Sequence, residues 1–157
     1  MASKLYLAAF VAALTTTPAL AGEEPFGMGF DGWKFTQEDT SEGALCRAYL
    51  GSNVIARYAH GSMYLSMPAG RVPQGSYPES HLEIGGAAEP VDAKSNGKRF
   101  WLISDEGFLN GLAAARGYFW RTGPIKGKFV EGRVAFNTST GKALKELRAC
   151  TRANGGF

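Results

Sequence analysis

Apolar and polar positions follow a two-residue period through much of this chain. Trp33 to Thr36, Ala44 to Leu50, Val54 to Tyr58 and Met63 to Met67 read as strands, with Gly43, Gly51 and Gly61 punctuating them as turns. Short connections make them an antiparallel meander. In the second run Cys46, Ala48 and Leu50 share the face of Ala44, so Cys46 is expected to point inward while Arg47 and Tyr49 point the other way. Pro68 to Pro78 holds three prolines and two glycines and reads as a surface loop. Leu82 to Ile84 gives a short strand and Phe100 to Ile103 another, with Asn96-Gly97 as hairpin-turn chemistry between them.

The period then changes. Ser104-Asp105 is a helix-start signal, and Phe108, Leu109 and Leu112 recur at helical spacing until Gly117. Tyr118 to Arg121 and Phe129 to Phe136 return to the strand pattern around Gly123-Pro124. A second helix follows the cap candidates Ser139 and Thr140, placing Ala143, Leu147 and Cys150 on one face and Lys142, Lys145 and Arg148 elsewhere. The expected class is α+β, a mainly antiparallel β-sheet or sandwich with two short helices in the C-terminal half.

The first residues do not belong to this pattern. Lys4, the apolar run Leu5 to Leu14 and the small-x-small triplet Ala19-Leu20-Ala21 form a secretion signal with cleavage before Gly22. We therefore expect a signal peptide over 1–21, a flexible lead-in over 22–32 and a single disulfide-stapled domain over 33–157. The apolar run is about half the roughly 20 residues of a spanning helix, so no transmembrane anchor is expected. Localisation is expected to be periplasmic or secreted.

Export changes the meaning of the two cysteines. In an oxidising compartment Cys46 and Cys150 have one possible pairing, and the bridge would close a loop of roughly 100 residues, on the order of 4 to 5 kcal/mol in the chain-entropy limit. Two buried free thiols are the alternative. A metal site is not expected, since His60 and His81 stand at no ligand spacing to each other or to the cysteines. No cofactor is expected either: Gly27, Gly29 and Gly32 match G-x-G-x-x-G without the strand before or the helix after, and the stretch before Gly141-Lys142 lacks the first glycine and the final hydroxyl of a phosphate loop. Asp92, Asn96 and Gly97 suggest a calcium loop, but Lys94 and Ile103 occupy ligand positions, which makes a turn the better reading.

Charge is unevenly spread. Residues 22–93 sum to −6 and 94–157 to +8, which permits a basic face for an anionic partner or mutual neutralisation of packed halves. Tyr118, Trp120 and Arg121 beside Lys126 and Lys128 combine aromatic surface with positive charge, a pairing suited to anionic glycans, lipid headgroups or acidic protein patches. A core-packed aromatic strand is the plainer alternative. Arg57, Tyr58 and His60 form a second polar-aromatic cluster. Export disfavours nucleic acid as a partner. No catalytic residue is assigned: there is no G-x-S-x-G elbow, and any meeting of His60 or His81 with Asp31, Asp92 or Asp105 would have to come from the fold.

The signal, the Gly32-Trp33 start, Cys46 in the second strand and the ending Phe136-Asn137-Thr138-Ser139-Thr140-Gly141-Lys142-Ala143-Leu144 with Leu147 and Cys150 resemble small periplasmic proteins of Gram-negative bacteria, in particular the invasion-associated locus B family. The resemblance implies an exported, β-rich, disulfide-bearing domain linked to host-cell entry, with Trp33 as a core aromatic and Cys46 bridged to Cys150. It transfers no functional surface. The long Pro68 to Pro78 loop and the helix from Ser104 to Arg116 depart from the pattern. Function is therefore expected to be that of a non-enzymatic exported binding module of the bacterial envelope, with a small secreted hydrolase of cell-wall or surface glycans as the alternative.

Overall fold

The computed structural model describes residues 22–156. The expected secretion signal lies outside the described residues. Ten strands run β1 (Glu24–Pro25), β2 (Trp33–Thr40), β3 (Gly43–Leu50), β4 (Asn53–Tyr58), β5 (Met63–Pro68), β6 (Gly75–Ile84), β7 (Ala87–Ser95), β8 (Arg99–Ser104), β9 (Gly117–Arg121) and β10 (Glu131–Ala135). Two four-residue helices, α1 (Glu106–Leu109) and α2 (Leu112–Ala115), precede β9, and α3 (Thr140–Ala153) follows β10. The class is α+β.

All strand pairs are antiparallel and form one sheet in the order β1-β2-β3-β4-β5-β8-β7-β6-β9-β10. The chain meanders through β5, skips two positions to lay down β6, and returns through β7 so that β8 pairs with β5. The sheet curls strongly. Trp33 at the start of β2 donates from Nε1 to Asn137 Oδ1 at 2.9 Å, just past β10, and its ring lies 5.4 Å from that of Phe136. The inner face carries Trp33, Phe35, Ile55, Leu65, Phe100, Leu102, Leu82 and Trp120, all buried in one cluster. Leu109 and Leu112 from α1 and α2 and Ala143, Leu144 and Leu147 from α3 complete it.

Cys46 and Cys150 are joined by a disulfide with their Cα atoms 6.1 Å apart, and both are buried. The bond ties α3 to the inner face of β3. The lead-in is held against the sheet: Glu24 and Pro25 pair with Gln37 and Thr36, and Phe26 N donates to Phe35 O. Asp105 caps α1 by accepting from Phe108 N at 2.8 Å. Ser139, the expected cap of α3, makes no such side-chain bond; Asn137 Oδ1 instead accepts from Ser139 N, and Thr140 Oγ1 donates to Asn137 O.

Three elements differ from the sequence reading. The loop expected over Pro68 to Pro78 is confined to 69–74, and β6 then runs ten residues, with a register shift between Tyr77 and Ser80 that accommodates Pro78. Strand β7 was not expected at all. The single helix expected from Ser104 to Arg116 is two short helices meeting at Asn110-Gly111, both of which keep right-handed helical backbone, and a Cβ at Gly111 would lie 3.2 Å from Ile84.

Candidate functional site

The residues proposed from sequence as a binding surface divide between the two faces of the sheet. In β9 the alternation sends Tyr118 and Trp120 inward, where they are 5% and 8% exposed, so they are core residues and not surface. Trp120 packs 4.9 Å from Phe100, and burial pushes the Tyr118 hydroxyl pKa up. Arg121 faces outward with its guanidinium 4.9 Å from the exposed ring of Phe129, and Lys126 and Lys128 are exposed on the β9–β10 loop. The outward aromatics at this end are Phe119, under Arg133, and Phe129. Arg57, Tyr58 and His60 are likewise separated. Arg57 turns inward to Glu106 and Thr151, while Tyr58 turns outward and stacks on His60 with ring centroids 5.0 Å apart. His81 lies away from it on β6.

Aromatic side chains gather instead on the outer face of β3, β4, β5 and β8. Strand register alone places them. Tyr49 pairs with Val54, Val54 with Ser66, Ser66 with Trp101 and Trp101 with Lys94, so one row crosses five strands. The neighbouring row runs Arg47, Ala56, Tyr64, Ile103 and Asp92. Beneath them Leu45, Val54 and Ala56 form a small outer core against Tyr49, Tyr58 and Tyr64.

Two hollows share Tyr64 and Trp101 and together form a groove. The first, about 600 Å³, is bounded by Tyr58, His60, Tyr64, Trp101 and Ile103, with Glu42 and Lys94 at its rim. The second, about 370 Å³, lies between Tyr49, Tyr64 and Trp101 and carries Arg47, Arg99 and Glu23. A wider hollow of about 780 Å³ opens between α1, α2 and α3, lined by Glu106, Asn110, Lys142, Lys145 and Arg148 with no aromatic plane.

The polar groups of the groove are held in place. Arg47 pairs with Glu38 at 2.6 Å and stands 3.6 Å from Glu23. Burial works against its charge, but hydrogen bonding to Tyr64 and Glu38 outweighs this and keeps it firmly protonated. Glu23 accepts from Thr36 and Tyr49; these bonds and Arg47 overcome its burial and hold its carboxyl below the ordinary range. The Tyr49 hydroxyl is pushed up to about 12 by burial and by Glu23. Arg99 differs from Arg47: it donates to Ser66 Oγ at 2.8 and 3.1 Å and to Ser52 O at 2.6 Å, so its partners are neutral oxygens, and burial lowers its pKa.

Sequence reasoning placed Arg47 and Tyr49 outward but missed Tyr64, Trp101 and Arg99 as their companions. Alternation within Met63 to Met67 and Phe100 to Ile103 was the available signal. What it lacked was the pairing of β5 with β8, which brings Tyr64 and Trp101 together. Among the described residues no group of three or more His, Cys, Asp and Glu side chains gathers as a metal site, and no helix is long and apolar enough to cross a membrane. Compared with known proteins, the chain is matched by no family model, no curated protein and no solved structure.

Proposed function

We propose that the chain is an exported binding module of the cell envelope that holds an elongated ligand in the outer-face groove. The observation that carries this is the cluster of Tyr58, Tyr64 and Trp101 on the outer sheet face, backed by the small core of Leu45, Val54 and Ala56. Aromatic planes with polar edges suit ligands that offer one apolar face and one hydrated face. The module acts in the periplasm or outside the cell, a reading supported by the secretion signal and by the buried disulfide. The resemblance to the invasion-associated locus B family supports the exported, disulfide-bearing part of this reading, and the groove is this chain's own candidate surface.

Trp33 and Trp120 are buried, so ligand binding should act chiefly on the fluorescence of Trp101. Envelope polysaccharide and anionic phospholipid vesicles are titrated into the mature protein and into Trp101→Ala and Tyr64→Ala variants. A Trp101-dependent signal that both variants lose, with melting temperatures little changed, is the expected result. Retention of binding by both variants would remove the groove from consideration. Cell fractionation checks the compartment: the protein should appear outside the cytosol without residues 1–21.

A further inference from the structure

We infer that the ligand of the groove is an acidic oligosaccharide, with a uronic acid unit stacked on Trp101 and its carboxylate directed to Arg99. This rests on the reading of the groove as a binding site and deepens it by naming the ligand chemistry.

The row from Tyr49 to Lys94 crosses four strand spacings, about 19 Å, which is the reach of a short sugar chain and more than a single small ring needs. The hollows are open and share Tyr64 and Trp101 as walls, so a chain laid across the strands touches both without being enclosed. Pyranose rings present axial C–H bonds on one face, which pack on an indole or phenol ring, while their hydroxyls remain in water or bond to the groove edges. Tyr58, Tyr64 and Trp101 supply such planes, and Tyr58 lies 6.3 Å from Tyr64 between ring centroids.

Arg47 is already neutralised by Glu38 and Glu23, so it positions the wall of the groove. Arg99 is half-buried with only hydroxyl and carbonyl partners, and Lys94 is exposed opposite Trp101 in the register. Two cations thus flank the Trp101 ring, one along its own strand and one across from it. A charged guanidinium whose partners are neutral is well matched to an incoming carboxylate, which forms stronger bonds than the neutral oxygens it joins. A phospholipid surface is flat and would need its cations on a protruding edge, whereas Arg99 is half-buried and turned to Ser66 and Ser52.

The experiment compares an oligogalacturonate hexamer with the same hexamer fully methyl-esterified, two probes of equal length and ring geometry that differ in carboxylate charge. Each is titrated into the mature protein by Trp fluorescence and calorimetry. The free acid should bind about tenfold more tightly than the ester, as one charge-assisted contact provides. That preference should weaken with added salt and should be lost in Arg99→Gln and reduced in Lys94→Gln, whereas Trp101→Ala should lose both probes. Lys94 is exposed and its variant is structurally safe, and the acid-ester comparison on the unaltered protein needs no variant at all. Equal binding of acid and ester through Trp101 would overturn the acidic assignment and leave the groove reading intact. Trp101-dependent binding of anionic vesicles with neither hexamer bound would overturn it in favour of a lipid. Absence of Trp101-dependent binding to any of these would overturn both readings.

Discussion

Arg57 is 2% exposed on the inner side of β4, and its charge is met by Glu106 at the start of α1 at 2.9 Å and by Thr151 of α3 at 2.5 Å. Glu106 also accepts from Arg148 Nε at 2.7 Å, so one carboxylate joins β4, α1 and α3. Burial opposes its charge, but Arg148 and Arg57 outweigh this and hold the carboxyl below its ordinary range. Because the folded pKa is depressed, the contribution is complete above the unfolded value of about 4.3 and is lost as pH falls through the lower folded value. Glu106→Gln should therefore cost roughly 2 kcal/mol at neutral pH and little at about pH 2. Urea unfolding at the two pH values checks this, and equal losses at both would show that the carboxylate charge is irrelevant. Arg57 also shows the limit of reading a lone residue: in the sequence it sits beside Tyr58 and His60, yet one residue of β pleat places it on the opposite face.

At the scale of elements, glycine at Gly132 has a specific function. It pairs with Trp120 across β9 and β10, and a Cβ there would lie 2.9 Å from the indole. Gly132→Val should displace Trp120 from Phe100 and cost about 1 to 3 kcal/mol, read as a fall in the denaturation midpoint with blunted near-ultraviolet dichroism. An unchanged midpoint would mean that the strand shifts freely. The meander from β2 to β5 and the helix α3 were legible from alternation and helical spacing. Strand β7 was not, for a physical reason. Val91, Ala93 and Ser95 alternate correctly, but Pro90 argues against a central strand; in the fold β8 pairs only with Asp92–Ser95, so at Pro90 the strand has one neighbour and needs no second set of bonds. Pro78 escapes differently: it falls in the register shift of β6 against β7, and β9 pairs with β6 only over His81–Glu83. Gly85-Gly86, both at positive φ, form the hairpin turn between β6 and β7, a signal present in the sequence and left unused.

At the scale of the molecule, the uneven charge of the two halves is not relieved by the ion pair that joins them, since Arg57 and Glu106 are the minority charges of the acidic and the basic half. Lys126, Lys128 and Arg133 stand at the β9–β10 end among Phe119 and Phe129. Reversing Lys126 and Lys128 to Glu should weaken retention on a cation exchanger while leaving the Trp101 titration unchanged, because the groove lies several strands away. A change in that titration would mean that the two surfaces act together. The disulfide acts on the whole fold as well. Replacing Cys46 and Cys150 by Ala should lower stability by about 3 kcal/mol or more, measured by urea unfolding, and reductant should lower the unaltered protein by the same amount. Its position has a consequence for how the molecule is made. In an exported chain Cys46 reaches the oxidising compartment 104 residues ahead of the only thiol it can join. For that interval the early sulfur is an open nucleophile, so oxidation that outruns translocation would couple it to a stranger, and faithful maturation depends on the last helix arriving first.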